Sequence, residues 1–252
     1  MYNISANTIF TGKSLVYLPT CHSTNEYAYK LLTEGNPVEG SLIITPEQTA
    51  GKGQRGNTWE SEIGKNLTFS LIFKPSFLKV TNQFYLNIIS SLAVRDAVAK
   101  FLKTEVNVKW PNDIYLDNKK IAGILIQNTI KGEGIGYSII GIGLNVNQET
   151  FSDKKAISMK KYSSSEYSTE MVLNTLLENI ETYYLQLQNN GLKELYQNYI
   201  GHLYKFGEEH LFKTNEETFT GKIEGIDGDG RLMIKEGDRL RVFSLKEVEF
   251  LI

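Results

Sequence analysis

The sequence predicts an α+β fold, a mixed or antiparallel sheet carrying helices and followed by a small β barrel. Three observations predict it. Strand-like segments at 106–110, 113–117, 120–128 and 136–146 succeed one another across turn signals such as "DNKK" and "KGEG", which favours antiparallel hairpins. Helical patterns at 84–102 and 169–189 flank that block rather than alternate with it, so the strict βαβ order of a doubly wound sheet is missing. From about 208 the chain changes to short strands joined by Asn-Glu, Asp-Gly and Gly-Asp turns, a spacing suited to a barrel of about five strands.

Taken in order, "SLVYL" (14–18) reads as a strand. Ser23 and Glu26 then form an S-x-x-E capping box that starts a helix. Tyr27, Ala28, Leu31 and Leu32 fall on one face of it, and Gly35 follows its stop. "SLIIT" (41–45) is a second strand, and "NLTFSLIFK" (66–74) alternates Leu67, Phe69, Leu71 and Phe73 with polar partners, as a half-buried strand does. The 169–189 helix carries Val172, Leu176, Ile180, Tyr183 and Leu187 on one stripe. Gly191 punctuates it before a shorter helix at 192–200. The Ser- and Lys-rich stretch 152–168 is expected to be a surface loop, and a domain boundary is expected near 203–208.

Composition bounds the function. The 252 residues are 41% hydrophobic and 22% charged, which suits a globular protein with a sizeable core. A net charge of −2 argues against bulk adhesion to DNA or an anionic membrane, so nucleotide chemistry needs a local basic cluster. The single cysteine, Cys21, excludes an intrachain disulfide framework and fits a reducing compartment. No signal peptide and no apolar stretch of ~20 residues is visible, so a cytoplasmic protein is expected.

Four stretches could carry chemistry: "STN" (23–25), "GKGQRGNTW" (51–59), "KWPNDIY" (109–115) leading through "DNKKIAG" (117–123), and "GIGLN" (141–145). The glycine-rich loop is not a P-loop, because Gly51 and Gly56 are followed by Asn57-Thr58 and no helix-forming run. It reads either as an anion-binding loop, with backbone N–H groups and Lys52 or Arg55 facing phosphate, or as a solvated hairpin loop. Trp110 and Pro111 stiffen a connection displaying Asn112 and Asp113, and a buried core Trp explains it equally well. Strict alternation puts Lys120 on the face of Ile124 and Ile126, odd for a charge unless it sits at the strand's open end. Gly141 and Gly143 weaken their strand and hint that something approaches closely. Other signals fail: His22, His202 and His210 are scattered, and "DGDG" (227–230) reads as a hairpin turn. Cys21 has no evident base and reads as a small buried residue.

Taken in this order, "STN…Q-x-x-GKGxRG-x-x-W…KWPND…KKIAGIL…GIGLN" resembles the bacterial biotin–protein ligases from roughly Tyr17 to Asn147, with the C-terminal barrel matching as well. The resemblance implies a class II synthetase-like catalytic domain over 1–204 and an SH3-like barrel over 205–252. It implies formation of biotinyl-5′-AMP from biotin and ATP, with Mg²⁺ on the phosphates, then transfer of biotin to a lysine of a biotin carboxyl carrier protein. Ser23, Thr24 and Asn25 would lie at the biotin ring system with Gln48 nearby, and Lys52, Gly53 and Gln54 in the loop closing over the valeryl tail. Arg55, Asn57 and Trp59 would order that loop around the nucleotide, with Trp59 at adenine. Asn112, Lys120 and Asn145 would reach the adenylate, Lys120 also the biotin carboxyl region, and Asp113 is the candidate base for the transfer step.

The loop departs from the family's usual Gly-Arg-Gly-Arg-x-Gly. Lys52 keeps charge without the planar fork, and Gln54 loses charge where an arginine helps retain the intermediate, so looser retention is expected. Three rivals stand beside this reading: a lipoate or octanoate ligase or transferase of the same fold, a noncatalytic biotin-binding module, and a DNA-binding repressor. Because the first ligase-like strand begins by residue 14, the chain is expected to act as an enzyme without a DNA partner. Family members often dimerise through a sheet edge near the site, and a homodimer is among the states open to this chain.

Overall fold

Seven strands pair in the order β1-β2-β3-β7-β6-β5-β4. They are β1 (Leu15–Tyr17), β2 (Ser41–Thr45), β3 (Leu67–Phe73), β4 (Asn107–Lys109), β5 (Asp113–Leu116), β6 (Lys119–Lys131) and β7 (Gly134–Leu144). In this computed structural model the described residues are 4–251, excluding the Arg55 side chain. Helix α1 (Thr24–Glu34) connects the parallel pair β1 and β2, and every other neighbouring pair is antiparallel, so the sheet is mixed as expected.

Side-chain alternation gives the sheet two apolar faces. Leu67, Phe69, Leu71, Ile124, Ile140 and Ile142 join the core that takes in α2 (Tyr85–Leu102) and α4 (Thr169–Gln188). On the other face Ala28 of α1 packs against Ile43, Ile72 and Ile139, with Tyr27, Leu31 and Leu32 at the margin. Each fully buried aliphatic side chain contributes about 1.5–3 kcal/mol relative to exposure. Because α1 covers β2, β3 and β7, β3 is buried at all seven positions, not half-buried as its alternation suggests. The same choice of strands leaves the β5–β6 side of this face uncovered by α1, and the site lies there.

Two local expectations are overturned. Ser23 does precede α1, but its side chain makes no cap bond, and Glu26 pairs with Lys52 instead of closing a capping box. The first-turn amide of Thr24 is taken by Gln48 Oε1 at 2.8 Å. The segment 152–168 is also more than a surface loop. Ser158 caps a short helix α3 (Met159–Ser163) by accepting from the Lys161 amide at 3.0 Å, and Ile157, Ser158 and Met159 are buried. The Lys120 amide donates to Lys155 O at 2.8 Å and the Met159 amide to Asn145 O at 3.1 Å, so this strap crosses the ends of β6 and β7.

After α5 (Leu192–Gly201) the chain runs along the outer edge of the large sheet, where Val108 donates to His202 O and Tyr204 to Val108 O, both at 2.8 Å. It then forms β8 (Glu209–Lys213), β9 (Thr218–Ile226), β10 (Leu232–Glu236), β11 (Arg239–Phe243) and β12 (Glu249–Phe250), paired as β11-β10-β9-β8-β12. Among the described residues the ladder stays open, because the two-residue β12 pairs only with β8. The expected barrel is thus a curled antiparallel sheet around Phe212, Phe219, Phe243 and Phe250, with ring centroids 5.2–5.7 Å apart. It is fastened to the larger sheet where the Trp110 indole donates to Gly230 O at 2.8 Å.

Candidate active site

The uncovered face holds a cavity of about 440 Å³ whose floor includes Gly123, Gly141 and Gly143. Their missing Cβ atoms make the room. A Cβ on Gly141 would stand 2.1 Å from Asn25 Oδ1, and one on Gly143 2.3 Å from Trp59 Cε2. The close approach foreseen at these glycines is therefore made by side chains from the STN turn and the glycine-rich loop.

At one end Ser23, Thr24 and Asn25 line the wall at the start of α1. Asn25 Nδ2 donates to Leu125 O at 3.2 Å and to Gln127 Oε1 at 3.0 Å, which turns its Oδ1 toward Ser70 Oγ at 2.6 Å. Ser70 Oγ also lies 2.7 Å from Thr24 Oγ1, and Thr24 Oγ1 lies 3.2 Å from Gln48 Oε1. Since the Asn25 amide leaves its oxygen facing Ser70, the one Ser70 proton goes to Asn25, and Thr24 donates to Ser70 or Gln48. Fully buried Ser70 thus sets the orientation of both neighbours, and sequence reasoning missed it. The available signal was a hydroxyl in the middle of an apolar strand.

The glycine-rich loop is a hairpin. The Trp59 amide donates to Gly51 O at 2.9 Å and Gly53 to Asn57 O at 2.7 Å, with a 3₁₀ turn over Gln54–Gly56 that Gly56 completes at φ +87°. Gly53, Gln54 and Asn57 line the cavity, and Lys52 does so while paired to Glu26. The Arg55 side chain, assigned to the nucleotide from sequence, lies outside the described residues. Trp59 folds its indole over Gly123 and Gly143, with buried Nε1 lacking a hydrogen-bond partner among the described residues. An unpaired buried donor costs about 1–3 kcal/mol, so a ligand acceptor that reached it would be favoured.

Lys120 does not share the face of Ile124 and Ile126. A bulge opposite Ile114 and Tyr115 pairs Tyr115 with Lys120 and Ile114 with Ala122, leaving Ile121 as the extra residue. Lys120 is thereby moved to the face of Gly123, where a Cβ would meet its Nζ at 3.2 Å. Its Nζ sits 2.7 Å from Asp113 Oδ1 and 5.8 Å from the centre of the Trp59 ring. Asn112 lines the cavity and ties its Nδ2 to Ile124 O. Asn145 does not line it: Nδ2 donates to Ile157 O at 3.1 Å and Oδ1 is buried without a partner among the described residues.

The far wall comes from the C-terminal sheet through Leu245, Val248, Glu249 and Phe250, which sequence reasoning did not place at the site. Lys109 lies against that wall. Cys21 is not part of the lining, and burial pushes its thiol above the ordinary cysteine range despite the Thr45 hydrogen bond. A thiol held protonated is a poor acyl-carrying nucleophile.

Residues 17–145 match the biotin/lipoate A/B protein ligase family, and residues 207–251 match the biotin protein ligase C terminal domain. The bifunctional ligase/repressor BirA of Bacillus spizizenii is 29% identical over 244 residues, which are 94% of this chain and 74% of that protein. The biotin--[acetyl-CoA-carboxylase] ligase of Paracoccus denitrificans is 27% identical over 239 residues, covering 90% and 97% of the two chains. A solved structure of biotin protein ligase from Aquifex aeolicus in complex with biotin and ATP superposes with a TM-score of 0.79 at 26% identity, covering 95% of this chain and 99% of that one. With its larger domain and its C-terminal sheet both accounted for, the chain belongs to the biotin/lipoate A/B protein ligase family.

Proposed function

We propose that the protein is an ATP-dependent, AMP-forming biotin–protein ligase that transfers biotin to a lysine of a biotin carboxyl carrier protein. The observation that carries this reading is one cavity uniting the Ser23–Asn25 turn and Gln48 with Trp59, Lys120 and Asp113. The buried, oriented amide of Asn25 and the hydroxyl of Thr24 suit a polar ureido ring better than the featureless chain of octanoate or the dithiolane of lipoate.

In the first step a biotin carboxylate oxygen attacks the α-phosphorus of ATP, and the bond to the β-phosphate oxygen breaks. Lys120 neutralises charge as the five-coordinate state forms, and one well-placed donor of this kind is worth roughly 2.7–4 kcal/mol. Lys52, Arg55, Asn57 and Asn112 are assigned to the adenylate, with Lys52, Gly53 and Gln54 closing over the biotin tail. Asn145, which does not line the cavity, acts through the 157–159 strap, whose Ile157 amide also donates to the Lys120 carbonyl. In the second step the acceptor amine attacks the acyl carbon, AMP leaves, and Asp113 accepts the proton. A lysine with a reference pKa of about 10.4 is mostly protonated at neutral pH, so the apolar wall of Val248 and Phe250 assists by desolvating it.

Among the described residues no three His, Cys, Asp or Glu side chains gather, and the cavity offers only the carboxylates of Asp113 and Glu249. This is no dedicated metal cage, and Mg²⁺ would be carried by the ATP phosphates. We place the catalytic unit at 1–204, the C-terminal unit at 205–252, and the protein in the cytoplasm. No helix of the described residues is long and apolar enough to cross a membrane.

The test is incubation of the protein with ATP, biotin and an unmodified biotin carboxyl carrier domain, followed by intact-mass analysis of the carrier. A covalent biotin increment that needs ATP is expected. Carrier left unmodified by biotin but modified by lipoate would move the protein to the sister activity.

A further inference from the structure

Lys109 ends β4 and lines the cavity at the hairpin that carries Asp113, one of four lysines in the lining with Lys52, Lys120 and Lys246. Asp113 is already engaged by Lys120 at 2.7 Å. Lys109 has no carboxylate within 4.0 Å among the described residues. Its Nζ instead lies 3.2 Å from Tyr115 Oη and over the rings of Tyr115 and Phe250, at 4.7 and 5.0 Å from their centres. Aromatic faces and a phenol weakly compensate a half-buried cation. Burial pulls the Lys109 pKa below the ordinary lysine range, helped by the Lys155 and Lys120 charges and opposed by Asp113 and Glu249. A cavity-facing cation held by a phenol and two aromatic faces, with its carboxylates only at longer range, is a site for an anion brought by the ligand.

The Thr24–Asn25–Ser70 network occupies one end, Trp59 and Lys120 the middle, and Lys109 with Phe250 and Glu249 the C-terminal end. If the carboxylate and α-phosphate meet at Lys120, the remaining phosphates extend toward Lys109.

We propose that Lys109 binds the β- and γ-phosphates of ATP and stabilises pyrophosphate as it leaves, an inference that rests on the adenylation reading above. As the bond between the α-phosphorus and the bridging oxygen breaks, its electron pair passes to pyrophosphate. The Lys109 ammonium faces the charge gathering there and no proton needs to move.

Lys109→Met keeps the stem against Phe250 and removes the charge, and Lys109→Arg restores a cation. For each variant four quantities are measured: KM for ATP, inhibition by inorganic pyrophosphate, biotin affinity, and transfer from preformed biotinyl-5′-AMP to the carrier domain. Lys109→Met is expected to raise both the ATP KM and the pyrophosphate inhibition constant about tenfold. That is less than for an enclosed donor, because the ammonium is half-exposed and screened. Biotin affinity and transfer from the preformed adenylate stay within about twofold, and Lys109→Arg recovers most of the loss. Unchanged pyrophosphate inhibition in Lys109→Met overturns the inference. So does equal slowing of the preformed-adenylate reaction, which marks a packing role. A wild-type protein that forms no pyrophosphate with biotin overturns the adenylation reading itself.

Discussion

Replacing Gly143 by alanine tests whether the glycine floor exists to seat Trp59. The added Cβ would stand 2.3 Å from Trp59 Cε2 and 2.6 Å from both Cζ2 and Nε1. Carbon atoms pack at about 3.5–4.0 Å, so the indole must withdraw by more than about 1 Å. β7 cannot yield, because it is hydrogen-bonded between β3 and β6 at this position. A tryptophan buries about 150–250 Å². Losing half of that at about 25 cal/mol per Å² gives about 2–3 kcal/mol against the closed loop. The shift is roughly 30- to 140-fold in the loop's equilibrium. The chain has two tryptophans, and Trp110 is held by Gly230, so a red shift of fluorescence reports Trp59 leaving its seat. Steady-state kinetics should show a matching rise in KM for biotin and ATP. Gly201→Ala is the control, since a Cβ there meets nothing within 4 Å. Unshifted emission with wild-type KM values in Gly143→Ala would refute the reasoning.

Three further perturbations probe separate parts of the account. Ser70→Ala leaves Asn25 Oδ1 and Thr24 Oγ1 short of a buried partner, at about 1–2 kcal/mol. Titration should show biotin binding weakened roughly five- to thirtyfold with ATP KM unmoved, whereas equal losses for both substrates would count against a local role. Gln54→Arg restores a cation to the cavity-lining loop, and biotinyl-5′-AMP release, followed by rapid dilution, should slow by several-fold. Glu181 is buried, which raises its carboxyl pKa, but the Phe10, Thr11 and Ile9 amides more than reverse this and hold it below the ordinary glutamate range. Its stabilising effect is therefore complete above the unfolded value of about 4.3 and is lost as pH falls through the depressed native value. Urea unfolding of Glu181→Gln should show a deficit of about 1.5–3 kcal/mol near neutrality that shrinks in acid, and a pH-independent deficit would argue otherwise.

The parts of this molecule written in short-range pattern were legible in its sequence. The α1 stripe of Tyr27, Ala28, Leu31 and Leu32 packs as its period requires, and the strand segments fall at their expected hairpins. Gly141 and Gly143 announced a close approach, because glycine inside a strand otherwise only weakens it. What failed depended on distant partners. The capping box between Ser23 and Glu26 is locally sound, yet Gln48 and Lys52 compete for the same groups and win. Lys120 changes face through one inserted residue in β6, which alternation counted from the motif cannot register. The strap around Met159 hid in a Ser- and Lys-rich stretch, where two apolar residues carried the burial. Ser70 and Lys109 acquire their roles only when β3 meets α1 and β4 meets β12, contacts separated by tens to more than a hundred residues.

The most direct measurement of the central claim is pyrophosphate release from ATP with biotin, lipoate or octanoate offered separately, for wild type and Lys120→Ala. The account predicts release with biotin alone and its loss in the variant, because Lys120 is the cation held between Asp113 and the Trp59 ring. Release with lipoate or octanoate in place of biotin would contradict the substrate assignment. Undiminished release in Lys120→Ala would contradict the placement of the chemistry.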